Sequence, residues 1–207
     1  MGSVWVTSDL HFGHTFAAVT LRGFPTVRDH DEEIIDRWNK LVRPGDIVWV
    51  LGDLSLNMSA GLAQAARLNG VKHLVWGNHD AGSPVYRDGH KHQRRYMDVF
   101  ASADSMRRIR VDGQPVLLSH YPYAGDGERF AGQERYLPYR LRDEGIPLIH
   151  GHTHRPQRVT LSPTGTAQVH VGVDAWDLRP VPLAEAGRLI AAAGTWPGGE
   201  NEAGHAA

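Results

Sequence analysis

Hydrophobic residues in this chain gather into short runs that are separated by longer amphipathic segments. Six runs rich in Val, Ile, Leu and Trp have the length and composition of buried strands. They cover residues 4–8, 46–51, 72–76, 115–119, 146–150 and 167–173. Because segments with helical character lie between several of these runs, the pattern predicts a layered α/β domain.

Three segments have the features of helices, and one has those of a hairpin. Residues 29–42 place apolar side chains on one helical face, with acidic residues in the first turn. Helices are also predicted over residues 59–68 and 182–193. Asp112-Gly113 separates two strand-like runs, which indicates a tight β-hairpin and therefore a mixed sheet.

Composition narrows the possible chemistry. At 207 residues with 41% hydrophobic content, the chain is long enough for one well-buried core. Lys and Arg number 22 against 23 Asp and Glu, so no strong general binding to nucleic acid is expected. The absence of cysteine leaves only nitrogen and oxygen donors for a metal site.

The ends of the chain favour a cytoplasmic protein with no membrane partner. The first residues lack the basic and apolar regions of a secretion signal, and no apolar run approaches the roughly 18 residues of a membrane span. Residues 1–193 are predicted to form a single domain. The Gly-rich residues 194–207 are predicted to be a disordered tail.

Five predicted strands each lead into a polar cluster at their carboxyl ends. The clusters are Asp9-Leu10-His11, Gly52-Asp53, Gly77-Asn78-His79-Asp80, His120 and Gly151-His152-Thr153-His154. Ligands of open α/β sheets bind outside the carboxyl ends of the strands, so these clusters are expected to converge on one edge.

Seven side chains of these clusters are suited to metal binding. They are Asp9, His11, Asp53, Asn78, His120, His152 and His154. A single Asp or His in a loop is usually a solvated or capping residue. The placement of such residues at the ends of five predicted strands instead favours metal ligands. The donors exceed the needs of one ion, and two ions about 3.5 to 4 Å apart form the clamp used for displacement at phosphorus.

In this order, the motifs D-x-H, G-D, G-N-H-D, a later His and G-H-T-H resemble those of the calcineurin-like metallophosphoesterase superfamily. They span residues 9–154. The segments SDLHFGH, GVDAW and PVPLAE are similar to a small prokaryotic or phage branch. The resemblance implies a phosphoric ester hydrolase whose fold is a four-layer α-β-β-α sandwich of two mixed β-sheets flanked by helices.

The resemblance also implies two divalent metal ions, with manganese expected and iron, zinc or nickel as alternatives. One ion would be held by Asp9, His11, Asp53 and His154, and the other by Asp53, Asn78, His120 and His152. Asp53 would bridge the ions, and a hydroxide held between them would attack phosphorus. His79 would protonate the leaving oxygen, while Asp80 would orient His79 and raise its basicity.

The compact chain favours a small soluble phosphoester as partner. It has no insertion like the capping domain of members that act on long DNA, and it has G-N-H-D where protein phosphatases tend to have G-N-H-E. We expect a phosphodiesterase for a nucleotide or cyclic nucleotide. The alternatives are a phosphomonoesterase for nucleotides or proteins and a non-catalytic protein-binding scaffold of the same fold.

Four residues are candidates for substrate contacts: His14, Arg94, Arg95 and Arg155. His14 lies three residues beyond His11 and either faces the substrate or is a structural imidazole. Arg94 and Arg95 belong to the basic stretch 85–95, which either overhangs the site or is a solvated loop.

Overall fold

The computed structural model describes residues 2–125 and 134–194, so the predicted tail beyond residue 194 lies outside the described residues. The described strands form two five-stranded sheets. The first sheet contains β1 Val4–Thr7, β2 Ile47–Val50, β3 Val71–Val75, β4 Ser102–Asp104 and β10 Val181–Pro182. The second sheet contains β5 Arg107–Val111, β6 Gln114–Leu118, β7 Leu148–His150, β8 Val159–Leu161 and β9 Ala167–His170.

Parallel pairing brings several strand ends to one side of the molecule. The first sheet has the order β10-β1-β2-β3-β4, in which β1 to β4 are parallel. The second has the order β5-β6-β7-β9-β8, in which β6, β7 and β9 are parallel. A parallel bridge between Ser8 and Gly172 joins the two sheets just beyond β1 and β9. The carboxyl ends of the two parallel sets therefore lie next to each other.

Helices follow several of these strands. The α-helices in the described residues are α1 Val27–Leu41, α2 Met58–Ala65, α3 Gln93–Tyr96 and α4 Leu183–Ala192. The side chain of Thr26 accepts a hydrogen bond from the N–H of Asp29 and thereby caps α1. Asn57 caps α2 in the same way. A π-helical turn, Phe16–Leu21, precedes α1.

Two hydrophobic cores join the layers. Trp38 of α1 packs with Val48 on the helix side of the first sheet. Between the two sheets, Val6 packs with Ile149 and Val169. Helix α4 contacts strands of both sheets. Full burial of each large apolar side chain stabilises the fold by about 1.5 to 3 kcal/mol, which fixes the sheets against each other.

The prediction of two mixed sheets flanked by helices is confirmed. The hairpin is also present, because Val111 pairs with Gln114 and both intervening residues, Asp112 and Gly113, have positive φ angles of 50° and 81°. The hydrophobic pattern does not predict β4, β8, β10 or α3, since each is only two to four residues long. Among the described residues, no helix combines the length and apolar character needed to cross a bilayer.

Candidate metal centre

The polar loops after β1 and β2 lie side by side at the carboxyl edge of the first sheet. The N–H of Asp9 donates to the carbonyl of Gly52 at 3.0 Å, and the N–H of His11 donates to the carbonyl of Asp53 at 3.0 Å. The loop after β7 reaches the same place from the second sheet, because the N–H of His152 donates to both carboxylate oxygens of Asp9 at 3.2 and 3.0 Å. The fold thus joins clusters that are far apart in the chain.

One group of possible metal ligands consists of Asp9, His11 and His154. One donor atom from each of these residues lies within 4.8 Å of the others. The Nε2 atoms of His11 and His154 are 3.1 Å apart, and His154 Nε2 is 3.7 Å from Asp9 Oδ1. Asp53 Oδ2 is 3.6 Å from His11 Nε2. The four residues predicted to hold the first ion are therefore adjacent.

A second group consists of Asp9, Asp53 and His120, with donor atoms again within 4.8 Å of one another. His120 Nε2 lies 3.5 Å from Asp53 Oδ1 and 3.2 Å from Asn78 Oδ1. The ring of His152 is 5.1 Å from that of His120. The residues predicted for the second ion are also adjacent, and Asp9 belongs to both groups.

The chemistry of the second group fits a divalent cation. His120 Nδ1 donates to the carbonyl of Leu51 at 2.7 Å, and burial lowers the pKa of His120, so its Nε2 carries a lone pair. This lone pair faces a carboxylate oxygen of Asp53. Burial raises the pKa of Asp53, and the charges of Asp9 and Asp80 raise it further. A cation between these acceptors would remove their repulsion and keep Asp53 ionised.

The backbone is strained at five of the predicted ligands. Asp9, His11, Asp53, His152 and His154 have φ angles of 60°, 51°, 54°, 72° and 51°. These values lie in the left-handed region, which costs residues with a β carbon about 1 to 3 kcal/mol each. Such strain persists only where the surrounding structure fixes the loops, and it is typical of functional sites.

Two glycines permit the close approach of the loops to the acidic ligands. A β carbon on Gly77 would overlap Asp53 Oδ1, and a β carbon on Gly151 would lie 2.6 Å from Asp9 Oδ2. The glycines of the G-N-H-D and G-H-T-H motifs are therefore required by packing.

His79 lies at the rim of the cluster. Its backbone N–H donates to Asp53 Oδ1 at 2.8 Å, while its side chain remains 37% exposed with Nε2 3.9 Å from Asp53 Oδ2. Burial lowers the pKa of His79 to about 4, assisted by the charges of His120 and His14. The imidazole is thus held near the ligand cluster but remains accessible from the solvent side.

The predicted contact between Asp80 and the His79 ring is wrong. The Asp80 carboxylate accepts hydrogen bonds from the backbone N–H groups of Gly77, Asp53 and Leu54, at 2.8, 3.1 and 3.0 Å. Three backbone donors are available at this buried point, and they satisfy the carboxylate without an imidazole. Asp80 thereby links the loop after β2 to the loop after β3 and supports the position of Asp53.

Sequence reasoning does not identify Asp174 or Arg22 as part of the site. Asp174 Oδ2 accepts from His154 Nδ1 at 2.7 Å, and Asp174 Oδ1 accepts from Arg22 Nε at 2.8 Å. Arg22 also donates to the carbonyl of Asp9 at 2.7 Å. Burial alone would raise the pKa of Asp174, but its hydrogen bonds to His154 and Arg22 hold it far below its usual value. The signal in the sequence is GVDAW, whose acid follows a strand end like the other clusters.

A cavity of about 320 Å³ opens over the ligand cluster. His14 and Arg155, two of the four candidates for substrate contacts, line it. Among the described residues, Arg94 and Arg95 are not part of this lining; both are exposed, and Arg95 donates to Ser59 Oγ at 3.0 Å. The structure does not bring these two arginines to the site, because the basic stretch directs them to the surface near α2.

His14 faces the cavity between two other imidazoles. Its ring centroid is 5.4 Å from that of His11 and 6.4 Å from that of His79. Its buried Nδ1 has no hydrogen-bond partner in the part of the chain that the structure describes. Burial lowers the pKa of His14, and the positive charge of Arg22 lowers it further. These contacts favour a cavity-facing position for His14.

The fold and the ligand cluster together define a metal-binding phosphoesterase. The model of the calcineurin-like phosphoesterase superfamily domain matches residues 3–173, and the chain therefore belongs to this superfamily. This membership confirms the resemblance that the motifs indicate.

The chain is similar to proteins of two mycobacteriophages. The chain is 43% identical over 192 residues to the Gene 66 protein of Mycobacterium phage D29, and this alignment covers 87% of this chain and 93% of the relative. It is 38% identical over 187 residues to the Gene 66 protein of Mycobacterium phage L5, and this alignment covers 85% of this chain and 88% of that relative. The solved structure of the protein of unknown function AQ665 from Aquifex aeolicus has a TM-score of 0.67 at 24% identity and covers 92% of this chain and 100% of that chain. The last likeness shows the fold alone.

Proposed function

We propose that this protein is a binuclear phosphodiesterase for small soluble phosphodiesters, such as nucleotides or cyclic nucleotides, with two manganese ions as its cofactors. The observation that carries the proposal is the convergence of carboxylate, amide and imidazole donors under one cavity that His79 also lines. A compact chain with a small cavity suits a small substrate.

Two groups of side chains would hold the ions. When bound, two divalent cations supply Lewis-acid charge to the phosphoryl oxygens and lower the pKa of bound water to about 7. The first group is Asp9, His11, Asp53 and His154, and the second is Asp53, Asn78, His120 and His152. Asp53 suits the shared position, because Oδ2 is 3.6 Å from His11 Nε2 and Oδ1 is 3.5 Å from His120 Nε2.

His79 is the candidate general acid. Its backbone N–H is fixed on Asp53 Oδ1, and its partly exposed ring lines the cavity beside the ligand cluster. Burial lowers the pKa of His79, which disfavours the protonated form that a general acid needs. The negative charge of a phosphoester beside the ring would act in the opposite direction and favour protonation.

Two further side chains are candidates for substrate contacts. His14 lines the cavity beside the ligand cluster, with its ring centroid 5.4 Å from that of His11. Arg155 follows His154 directly and lines the same cavity, where its positive charge suits a phosphoryl group.

The direct test compares bis-p-nitrophenyl phosphate with p-nitrophenyl phosphate in the presence of Mn²⁺, with the metal content measured by mass spectrometry. We expect about two ions per chain and a higher kcat/KM for the diester. A higher kcat/KM for the monoester would favour a phosphomonoesterase. A protein that binds no metal and cleaves neither compound would be a scaffold, and the enzyme proposal would then be wrong.

A further inference from the structure

The cavity has an apolar wall that the metal ligands do not explain. Phe16 and Leu21 line it, yet their side chains are 53% and 43% exposed. Both belong to the π-helical turn, in which Ala17 and Ala18 are buried beneath them. Large apolar side chains that remain exposed inside a cavity are typical of a surface that binds an apolar part of a ligand.

A row of rings leads from the ligand cluster to this wall. The ring centroids of His11 and His14 are 5.4 Å apart, and those of His14 and Phe16 are 6.3 Å apart. His79 flanks the row at 6.4 Å from His14. A group joined to phosphorus through a short spacer would therefore reach Phe16 while the phosphoryl group stays at the ligand cluster.

We infer that Phe16 and Leu21 form a subsite for an aromatic ester group of the substrate. This inference rests on the proposed function and deepens it. The flat face of Phe16 favours stacking with a second ring, and aromatic pairs gain stability beyond the area they bury. The cavity also contains the charged Arg155 and the polar ligands, which suit the phosphoryl group rather than an apolar group. Phe16 and Leu21 are therefore the side chains of the cavity that suit the apolar ester group.

Equilibrium binding of phosphonates tests this subsite without turnover. Methylphosphonate and 2-phenylethylphosphonate contain a P–C bond that phosphoester hydrolysis does not break, and only the second carries a ring. Titration calorimetry on the Mn²⁺-loaded protein gives the ratio of their Kd values. We expect the ring to tighten binding about 5- to 30-fold, as for one aromatic stacking contact. Phe16→Ala should remove most of this ratio, and Phe16→Leu should remove part of it.

Val19→Ala is the matched control. Val19 lies on the same turn and is 39% exposed, but it does not line the cavity, so this variant should keep the wild-type ratio. Leu21→Ser is a second substitution in the apolar wall. Circular dichroism checks that each variant is folded. An unchanged ratio in both wall variants would overturn the subsite.

Two further outcomes separate the possible errors. If n-hexylphosphonate binds the wild-type protein as tightly as 2-phenylethylphosphonate, the wall does not select aromatic groups and the inference is wrong. If neither phosphonate binds and no phosphoester is cleaved with Mn²⁺, the proposed function itself fails. Cleavage of bis-p-nitrophenyl phosphate together with equal binding of the methyl and phenylethyl ligands would refute the subsite alone.

Discussion

Two pairs of neighbouring histidines each include one residue from β7 or from the loop that follows it. The front pair, His11 and His154, has ring centroids 4.9 Å apart and an interplanar angle of 29°. The rear pair, His150 and His170, is similar, with centroids 5.5 Å apart and an angle of 34°. Each pair borders a cavity, and Thr153 lines both cavities. Ring geometry alone does not distinguish the pairs.

The difference between the pairs lies in the carboxylates. Asp9 Oδ1 lies 4.0 Å from His11 Nε2 and 3.7 Å from His154 Nε2 in the front pair. No ion pair connects either rear ring to a carboxylate within residues 2–125 and 134–194, and burial lowers the pKa of His150 to about 3. Among the described residues, the groups of side chains that could hold an ion include the front pair together with Asp9 and do not include the rear pair.

Removal of Asp53, whose carboxylate lies 3.6 Å from His11 of the front pair, should have the largest effect. We expect Asp53→Ala to empty the metal site and to lower kcat/KM at least about 10³-fold, because the ions supply several kcal/mol of transition-state stabilisation. Mass spectrometry of the purified variant and a bis-p-nitrophenyl phosphate assay measure both effects. Asp36→Ala, on the exposed side of α1, is the control. Two bound ions in Asp53→Ala would contradict the assignment of Asp53 as a ligand.

His79→Ala should separate chemistry from metal binding. We expect kcat to fall about 10²- to 10⁴-fold while two ions remain bound, since we propose that the residue transfers a proton without holding a metal. Kinetics and metal analysis on the same sample provide the test. His90→Ala, at an exposed histidine, should behave like the wild type. Loss of metal from His79→Ala would show that the residue is a ligand.

Asp174→Asn should weaken the front pair without removing a ligand. The carboxylate orients His154 through Nδ1, and loss of such a partner typically lowers metal affinity about 10- to 100-fold. Competition with a chelator measures this affinity. Asp177→Asn, three residues further on, changes an exposed partner of Arg37 and should leave the affinity unchanged. Equal affinities in the two variants would mean that Asp174 does not support the site.

His170→Gln should have the smallest effect on the metals. Because no carboxylate within residues 2–125 and 134–194 lies within ion-pair distance of the rear rings, we expect two bound ions and a change in kcat/KM below the roughly 10-fold loss that marks a residue supporting a ligand. The same metal analysis and diester assay apply. If this variant loses an ion, the rear pair belongs to the metal site and the distinction between the pairs is wrong.

Much of the fold and of the ligand set can be predicted from local patterns. The six predicted strands and three predicted helices correspond to elements of the structure, because each has a clear hydrophobic period. The strand-end rule places Asp9, Asp53 and His120 together although 111 positions separate the first from the last. It does not apply to Arg94 and Arg95, which lie in α3 and, among the described residues, do not line the cavity.

Local patterns in the chain are sufficient to indicate the family and the residue types that can bind metal, since motif order and hydrophobic period are local properties. Which of these residues lie together depends on tertiary contacts. Pairing of neighbouring strands places the Asp80 carboxylate on backbone N–H groups of the loops after β2 and β3, and it brings Asp174 to His154. Phe16 remains exposed inside the cavity. These outcomes depend on long-range contacts, and no local pattern encodes them.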